Sequence, residues 1–378
     1  MRIASQRHLF ELPGDLTWLN CSYMSPQPLS VSAAGREALT RKASPWQVRP
    51  EDFFTDSEAL RQLFARLVEA DGEGVALVPS VSYGMAVAAA NVPVREGQRL
   101  LVLAEEFPSN VYPWRELAGR SGGQVRTVPR PPDGNWTRAL LAEMDERTAL
   151  VAVPHCHWTD GGLVNLEPVG ARAREVGAAL LVDGTQSVGA LPLSVARVQP
   201  DFLVTAGYKW LMGPFSQGYL YVAPRWRDGR PLEHNWLLRG GSEDFARLVD
   251  YRDDFQPGAR RFDVGERSNL ILVPMALAAL RQVLAWGIAD IQDTLGVLTR
   301  RVAQGAQALG LEVTPEAQRA GHLVGLKRPG GYAPSVLATL AARQIFVSVR
   351  GDRLRVSPHL YNTEADVDRL LEALGTLG

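Results

Sequence analysis

Leu181-Val-Asp183-Gly-Thr-Gln186-Ser-Val-Gly189 and Phe202-Leu-Val-Thr205-Ala-Gly-Tyr208-Lys209-Trp-Leu-Met-Gly213 are the two stretches on which the reading of this 378-residue chain turns. Each is a short, unbroken apolar run that ends near one ionisable side chain and then breaks into a turn. Runs of this length suit strands buried on both faces, which belong to parallel sheets covered by helices. Similar runs lie at residues 75–78, 99–103, 125–128, 150–153, 179–182, 202–205 and 218–222. Stretches with helical spacing, 111–119, 137–144 and 167–176, alternate with them. The alternation predicts an α/β large domain with a mainly parallel seven-stranded sheet flanked by helices.

Beyond residue 225 the pattern changes. Residues 225–262 are rich in Arg, Asp, Gly and Pro and read as an irregular connector, followed by two long helical patterns at 271–286 and 288–309. Shorter runs at 311–314, 322–327, 345–349 and 354–357 precede a closing helix at 363–374. This predicts a smaller α+β C-terminal domain over 256–378, with residues 1–255 forming the large domain and about 1–18 packing on the small one.

Composition excludes several classes. Forty basic against 41 acidic side chains give a net charge of −1, with no electrostatic footprint for nucleic acid. No run of about 18 apolar residues suggests a membrane span, and the start has no apolar stretch long enough for a secretion signal. The two cysteines, Cys21 and Cys156, suit a reducing compartment, so a cytoplasmic location is expected. The cations divide into 37 Arg and only three Lys, at 42, 209 and 327. Any chemistry that needs a lysine amine has three candidates.

In open α/β sheets ligands sit at the carboxyl ends of strands. Asp183 ends one such strand, where an acid can coordinate Mg²⁺, hold a ribose or pair with a cationic ring nitrogen. Lys209 follows the next strand, 26 residues on (209 − 183), between aromatics and before a glycine turn. An amine held among apolar groups loses its proton more readily and becomes a nucleophile toward an aldehyde. Together these are the lysine and the acid that a pyridoxal 5'-phosphate (PLP) site needs. Lys42 and Lys327 follow no such acid and read as surface residues.

With these motifs, and with Tyr361-Asn-Thr363 near the C-terminus, the whole chain resembles the fold-type-I PLP enzymes of the class V aminotransferase superfamily. That superfamily includes cysteine desulfurases, kynureninase and isopenicillin N epimerase-like proteins. The resemblance implies that Lys209 forms the Schiff base, Asp183 pairs with the ring nitrogen and Gln186 bonds the phenolic oxygen. Tyr208 looks like the kynureninase branch, where the tyrosine contacts phosphate. Pro79-Ser-Val81-Ser82-Tyr-Gly84 links a strand to a helix, a start that suits an anion, and Val81 and Ser82 match the family's phosphate-binding positions. Phe107-Pro-Ser-Asn110 is similar to a Phe-Pro-Ser/Thr-Asp segment whose phenylalanine stacks on the ring, with Asn110 replacing the acid. His157 falls where many relatives carry Asn, near the substrate carboxylate, and is expected to take a direct part. Arg355 maps to the arginine that grips that carboxylate, a group best held bidentately by guanidinium. Asn269, in Glu266-Arg-Ser-Asn269, resembles a kynureninase asparagine acting on the cofactor across a homodimer interface. His155 and His157 sit at i and i+2 on opposite strand faces and make poor joint metal ligands, so no metal is expected.

Transamination of an amino acid is the least demanding reaction for these residues and is the first expectation. A kynureninase-like hydrolysis or an amino-acid epimerisation is the alternative, although the tryptophan-rich segment of kynureninase is not clearly matched by His234-Asn-Trp236. Desulfurase chemistry is disfavoured because residues 347–355 contain no cysteine. A binding or regulatory protein on the same fold is the non-enzymatic alternative. Lysine, acid and arginine are nevertheless all present.

Overall fold

The computed structural model describes residues 2–377. Strand β1 (Thr17–Trp18) is followed by the seven strands of the large sheet: β2 (Val75–Val78), β3 (Arg99–Leu103), β4 (Gln124–Val128), β5 (Thr148–Pro154), β6 (Ala179–Asp183), β7 (Phe202–Ala206) and β8 (Gly218–Val222). Their order is β2-β8-β7-β6-β5-β3-β4, and only β8 pairs antiparallel with its neighbours. Strands β5, β6 and β7 are buried along their whole length, which is why they read as continuous apolar runs. Because β8 is reversed, β2 runs in the same sense as β7. The carboxyl ends of β2, β3, β5, β6 and β7 therefore open on one edge.

The C-terminal part supplies β9 (Glu312–Val313), β10 (Val324–Lys327), β11 (Ile345–Phe346), β12 (Ser348–Arg350) and β13 (Arg353–Val356). A four-stranded antiparallel sheet forms in the order β12-β13-β10-β9, and β11 pairs parallel with β1. The N-terminal segment therefore lies on the C-terminal part, and Gln6 N–H also donates to the Leu360 carbonyl at 2.8 Å. The helix Leu272–Trp286 packs on the helices Leu29–Lys42 and Thr55–Leu67. It meets the helix Ile288–Ala308 at a 74° bend. The segment Gly258–Phe262 packs on β2. Among the described residues no single helix is long and apolar enough to cross a membrane.

One buried ion network fixes β2. Asp263 and Arg61 are both fully buried and paired at 2.8 Å, and Asp263 also accepts the Leu77 N–H at 2.7 Å. Arg267 lies 3.2 Å from the same carboxylate. The acid thus ties the helix Thr55–Leu67 and the 258–268 segment to the strand that delivers Ser80.

Candidate active site

The shared strand edge encloses a cavity of about 300 Å³, lined mainly by apolar surface. Each wall comes from a strand end. β2 delivers Pro79 to Ser82, β3 delivers Glu106, Phe107 and Ser109, and β5 delivers Pro154, Cys156 and Trp158. β6 delivers Asp183, Thr185 and Gln186, and β7 delivers Tyr208 and Lys209, facing Phe215 to Gln217 from the turn before β8. This is where an open α/β sheet holds a ligand.

Lys209 is 8% exposed, and burial pushes its amine down to about 8. The Arg355 and Arg350 guanidiniums push the same way, while Asp183 opposes them. Its turn is compact: Gly207 N–H donates to the Gln217 carbonyl and Gly213 N–H to the Gly207 carbonyl, each at 2.8 Å. Gly189 (φ +103°) lies under this turn, where a Cβ would stand 2.5 Å from the Trp210 carbonyl oxygen, so the close approach requires glycine there. Asp183 accepts the Thr185 N–H at 2.9 Å, and burial raises its carboxyl above the ordinary value.

The helix Val81–Asn91 starts at the cavity wall, capped by Ser80, whose hydroxyl accepts the Tyr83 N–H at 3.2 Å and meets the Ser82 hydroxyl at 2.9 Å. First-turn N–H groups lack helical partners and carry the positive end of the dipole, so this end suits an anion. Phe107 shows its ring to Lys209 and meets Trp158 edge-on at 5.3 Å. Gln186 reaches the cavity but spends both ends of its amide on the protein: Nε2 donates to the Ser22 carbonyl at 3.0 Å and Oε1 accepts Trp210 Nε1 at 2.9 Å. Tyr208 lines the cavity against Phe215, 4.6 Å between ring centres. Arg355 stands just behind the lining, fully buried, with Nη1 donating to the Trp158 carbonyl at 2.9 Å and Nε to Ser348 Oγ at 3.2 Å.

Three expected residues lie elsewhere. His157 is turned away from the cavity and sealed: its Nε2 meets the Ala104 carbonyl at 3.0 Å, its Nδ1 meets Thr159 Oγ1 at 2.9 Å, and its ring stacks on Trp136. The side chains that face inward are its neighbours, Cys156 and Trp158. Asn110 is buried behind the lining, accepting Trp114 Nε1 at 3.0 Å, with its amide beside the Glu106 carboxyl. Asn269 is a helix cap, its Oδ1 accepting the Ile271 and Leu272 N–H groups at 3.0 and 2.9 Å.

Glu106 was not anticipated. It is 8% exposed, accepts the Phe107 N–H at 2.6 Å, and burial followed by the nearby Asp183 charge pushes its carboxyl up to about 8. An acid just after the end of β3 was the available signal, since the same strand-end rule found Asp183. Both thiols are buried, and burial raises them far above the ordinary value, Cys21 to about 12 and Cys156 further. Among the described residues no three His, Cys, Asp or Glu side chains are grouped to hold a metal ion.

A strand-end lysine, a buried acid and a helix start around one apolar cavity define the fold-type-I PLP class. Residues 25–370 match the aminotransferase class-V family model, and the chain belongs to that family of PLP-dependent enzymes. It is 25% identical to an uncharacterized aminotransferase, YcbU, of Bacillus subtilis (strain 168), over 89% of this chain and 87% of that one. It is also 25% identical to the isopenicillin N epimerase of Streptomyces clavuligerus, over 96% of each. In fold it is similar to an apo cysteine desulfurase from Thermococcus onnurineus NA1, with a TM-score of 0.86, 22% identity and coverage of 100% of this chain and 99% of that one.

Proposed function

We propose that this chain is an aminotransferase that exchanges the amino group of an amino acid with an oxo acid. The observation that carries the reading is the buried Lys209 amine, facing Phe107 beside Asp183, with its pKa lowered to about 8 so that the neutral amine is within reach near neutrality. The residues present fit PLP by the chemistry of their donors. Lys209 would hold it covalently through Nζ, and Phe107 would cover one ring face. Asp183 would meet the ring nitrogen, and Val81, Ser82 and Tyr208 with the helix start would take the phosphate. When bound, the cofactor supplies the electron sink that acidifies the substrate Cα–H.

The chain's own groups do the rest. Asp183, buried and fixed by the Thr185 N–H, keeps one negative charge under the site. Arg355 receives the substrate carboxylate, and its bond to the Trp158 carbonyl fixes the direction of the guanidinium. Lys209 takes the proton from Cα and returns it to the other end of the transferring unit, as its lowered pKa allows. Gln186 holds Trp210 and the Ser22 segment in place, which keeps the Lys209 turn rigid.

A transfer of this kind needs no further nucleophile. β12 and β13 are joined by the tight Gly351-Asp352 turn, which leaves no loop to bring a cysteine to the cavity, and the one thiol on the lining, Cys156, is held protonated by burial. These features disfavour desulfurase chemistry. Amino-acid epimerisation is the second reading, favoured by the likeness to isopenicillin N epimerase along nearly the full length of both chains. We further propose a homodimer in the cytoplasm. Exposed aromatics beside the cavity, Phe215 on its lining and Tyr23 near Tyr208, offer the surface for a second copy, and two free cysteines suit a reducing compartment.

The test is an amino-acid panel with the purified holoenzyme. Accumulation of the pyridoxamine form with release of an oxo acid supports transamination. Cα-deuterium exchange without oxo acid favours epimerisation, and anthranilate release from kynurenine favours a hydrolase. No response to any amino acid contradicts the enzymatic reading.

A further inference from the structure

The hairpin β12–β13 carries three arginines on one face. Arg350 and Arg353 are direct cross-strand partners, and Arg355 lies two residues beyond Arg353, which makes it the diagonal neighbour of Arg350. Such neighbours stand about 7–8 Å apart. The acids near this face all go to Arg353: Asp352 at 2.6 Å, Asp160 at 3.7 Å and Glu105 at 3.9 Å. Glu105 and Asp160 are also bound to Arg130, each at 2.6 Å.

Arg350 and Arg355 have no acid within ion-pair distance among the described residues. Arg355 is fully buried, and its contacts are a carbonyl and a hydroxyl. Arg350, half-buried, donates Nη1 to the Val349 carbonyl at 2.7 Å and lies 5.8 Å from the ring centre of Trp158, a cavity-lining residue. Arg350 weakens its neighbour's hold on a proton: Arg355 is pushed down to about 9, first by burial and then by Arg350. Two adjacent cations without a counter-charge, beside an apolar cavity, are costly unless a ligand neutralises them.

One anionic group satisfies Arg355 under the proposed function, and Arg350 is left over. We propose that Arg350 is a second carboxylate site and that the substrates are dicarboxylic amino acids and their oxo acids. The α-carboxylate goes to Arg355 and the side-chain carboxylate to Arg350, past the edge of Trp158. This rests on the assignment of the cavity as the amino-acid site. It does not depend on which bond is broken there.

The experiment measures the affinity of the holoenzyme for two non-reacting acids of similar size, glutarate and butyrate, by calorimetric titration. A charged hydrogen bond to the second carboxylate predicts glutarate binding about 10–100-fold tighter than butyrate. In Arg350→Gln that ratio falls to about one, and Arg350→Lys, which keeps the charge without the fork, gives an intermediate value. Equal affinities in the unaltered protein, no binding of either acid, or an unchanged ratio in Arg350→Gln would overturn the proposal. Because the readout is affinity, a glutarate preference without any transamination would refute the reaction and leave the site standing.

Discussion

Lys209 Nζ stands 5.7 Å from the ring centre of Phe107, although the two residues lie on strand ends 102 positions apart (209 − 107). The sheet order brings them to one edge, and the amine gains an aromatic wall that excludes water. Desolvation of that amine is the physical basis for the pKa of about 8.

The first prediction concerns pH. From an ordinary 10.5, the Lys209 amine is lowered to about 8, so its neutral fraction rises through that pH and then levels off. The rate at which apo-protein captures PLP should be half-maximal near pH 8 and level off above about pH 9, measured by growth of the visible band. A rate still climbing at pH 10 would mean an unperturbed lysine.

Glu106 titrates in the opposite sense. Its folded value of about 8 exceeds the ordinary 4.5, so the folded state holds its proton more firmly than the unfolded chain. That contribution to stability is complete below about 4.5 and is lost as pH rises through about 8. Glu106→Gln, which stays neutral, should match the unaltered protein at low pH and show a smaller fall in unfolding midpoint between pH 6 and 9. Equal falls in both proteins would refute the assignment.

Gln186→Ala leaves the fully buried Trp210 Nε1 without its acceptor. The expected cost is about 1–3 kcal/mol in denaturant unfolding.

Asp263→Ala removes the bidentate carboxylate partner of the fully buried Arg61, leaving it only the Glu58 pair at 3.2 Å, and releases the Leu77 N–H. The loss of one member of a buried ion pair predicts about 3–5 kcal/mol of destabilisation. Because β2 carries Ser80, phosphate affinity should weaken in any folded fraction, readable as faster loss of PLP on dialysis.

The strands were legible because burial on both faces removes the polar half of the pattern, and β5, β6 and β7 are the most buried. Asp183 and Lys209 were legible because a strand end is a fixed address in this architecture. His157 was misplaced by the direction its side chain takes. Beyond Pro154 the chain leaves the strand, and which of Cys156, His157 and Trp158 faces inward depends on the bridge between Cys156 and Leu163, a tertiary pairing. Asn269 carried a second, local signal as well, since an asparagine before an apolar helical run is a cap, and its Oδ1 accepts the Ile271 and Leu272 N–H groups. Glu106 obeyed the strand-end rule and was hidden beside the more familiar Phe107. The missing counter-charge of Arg350 was invisible, because it depends on which acids Arg353 and Arg130 already hold.

The most direct test of the account is to reduce the holoenzyme with borohydride, digest it and locate the pyridoxyl group by mass spectrometry. The chain has only three lysines, so the outcome is unambiguous. The account predicts modification at Lys209 alone, and its disappearance in Lys209→Ala together with the visible band. Stoichiometric modification at Lys42 or Lys327, or a band that survives the substitution, would contradict it.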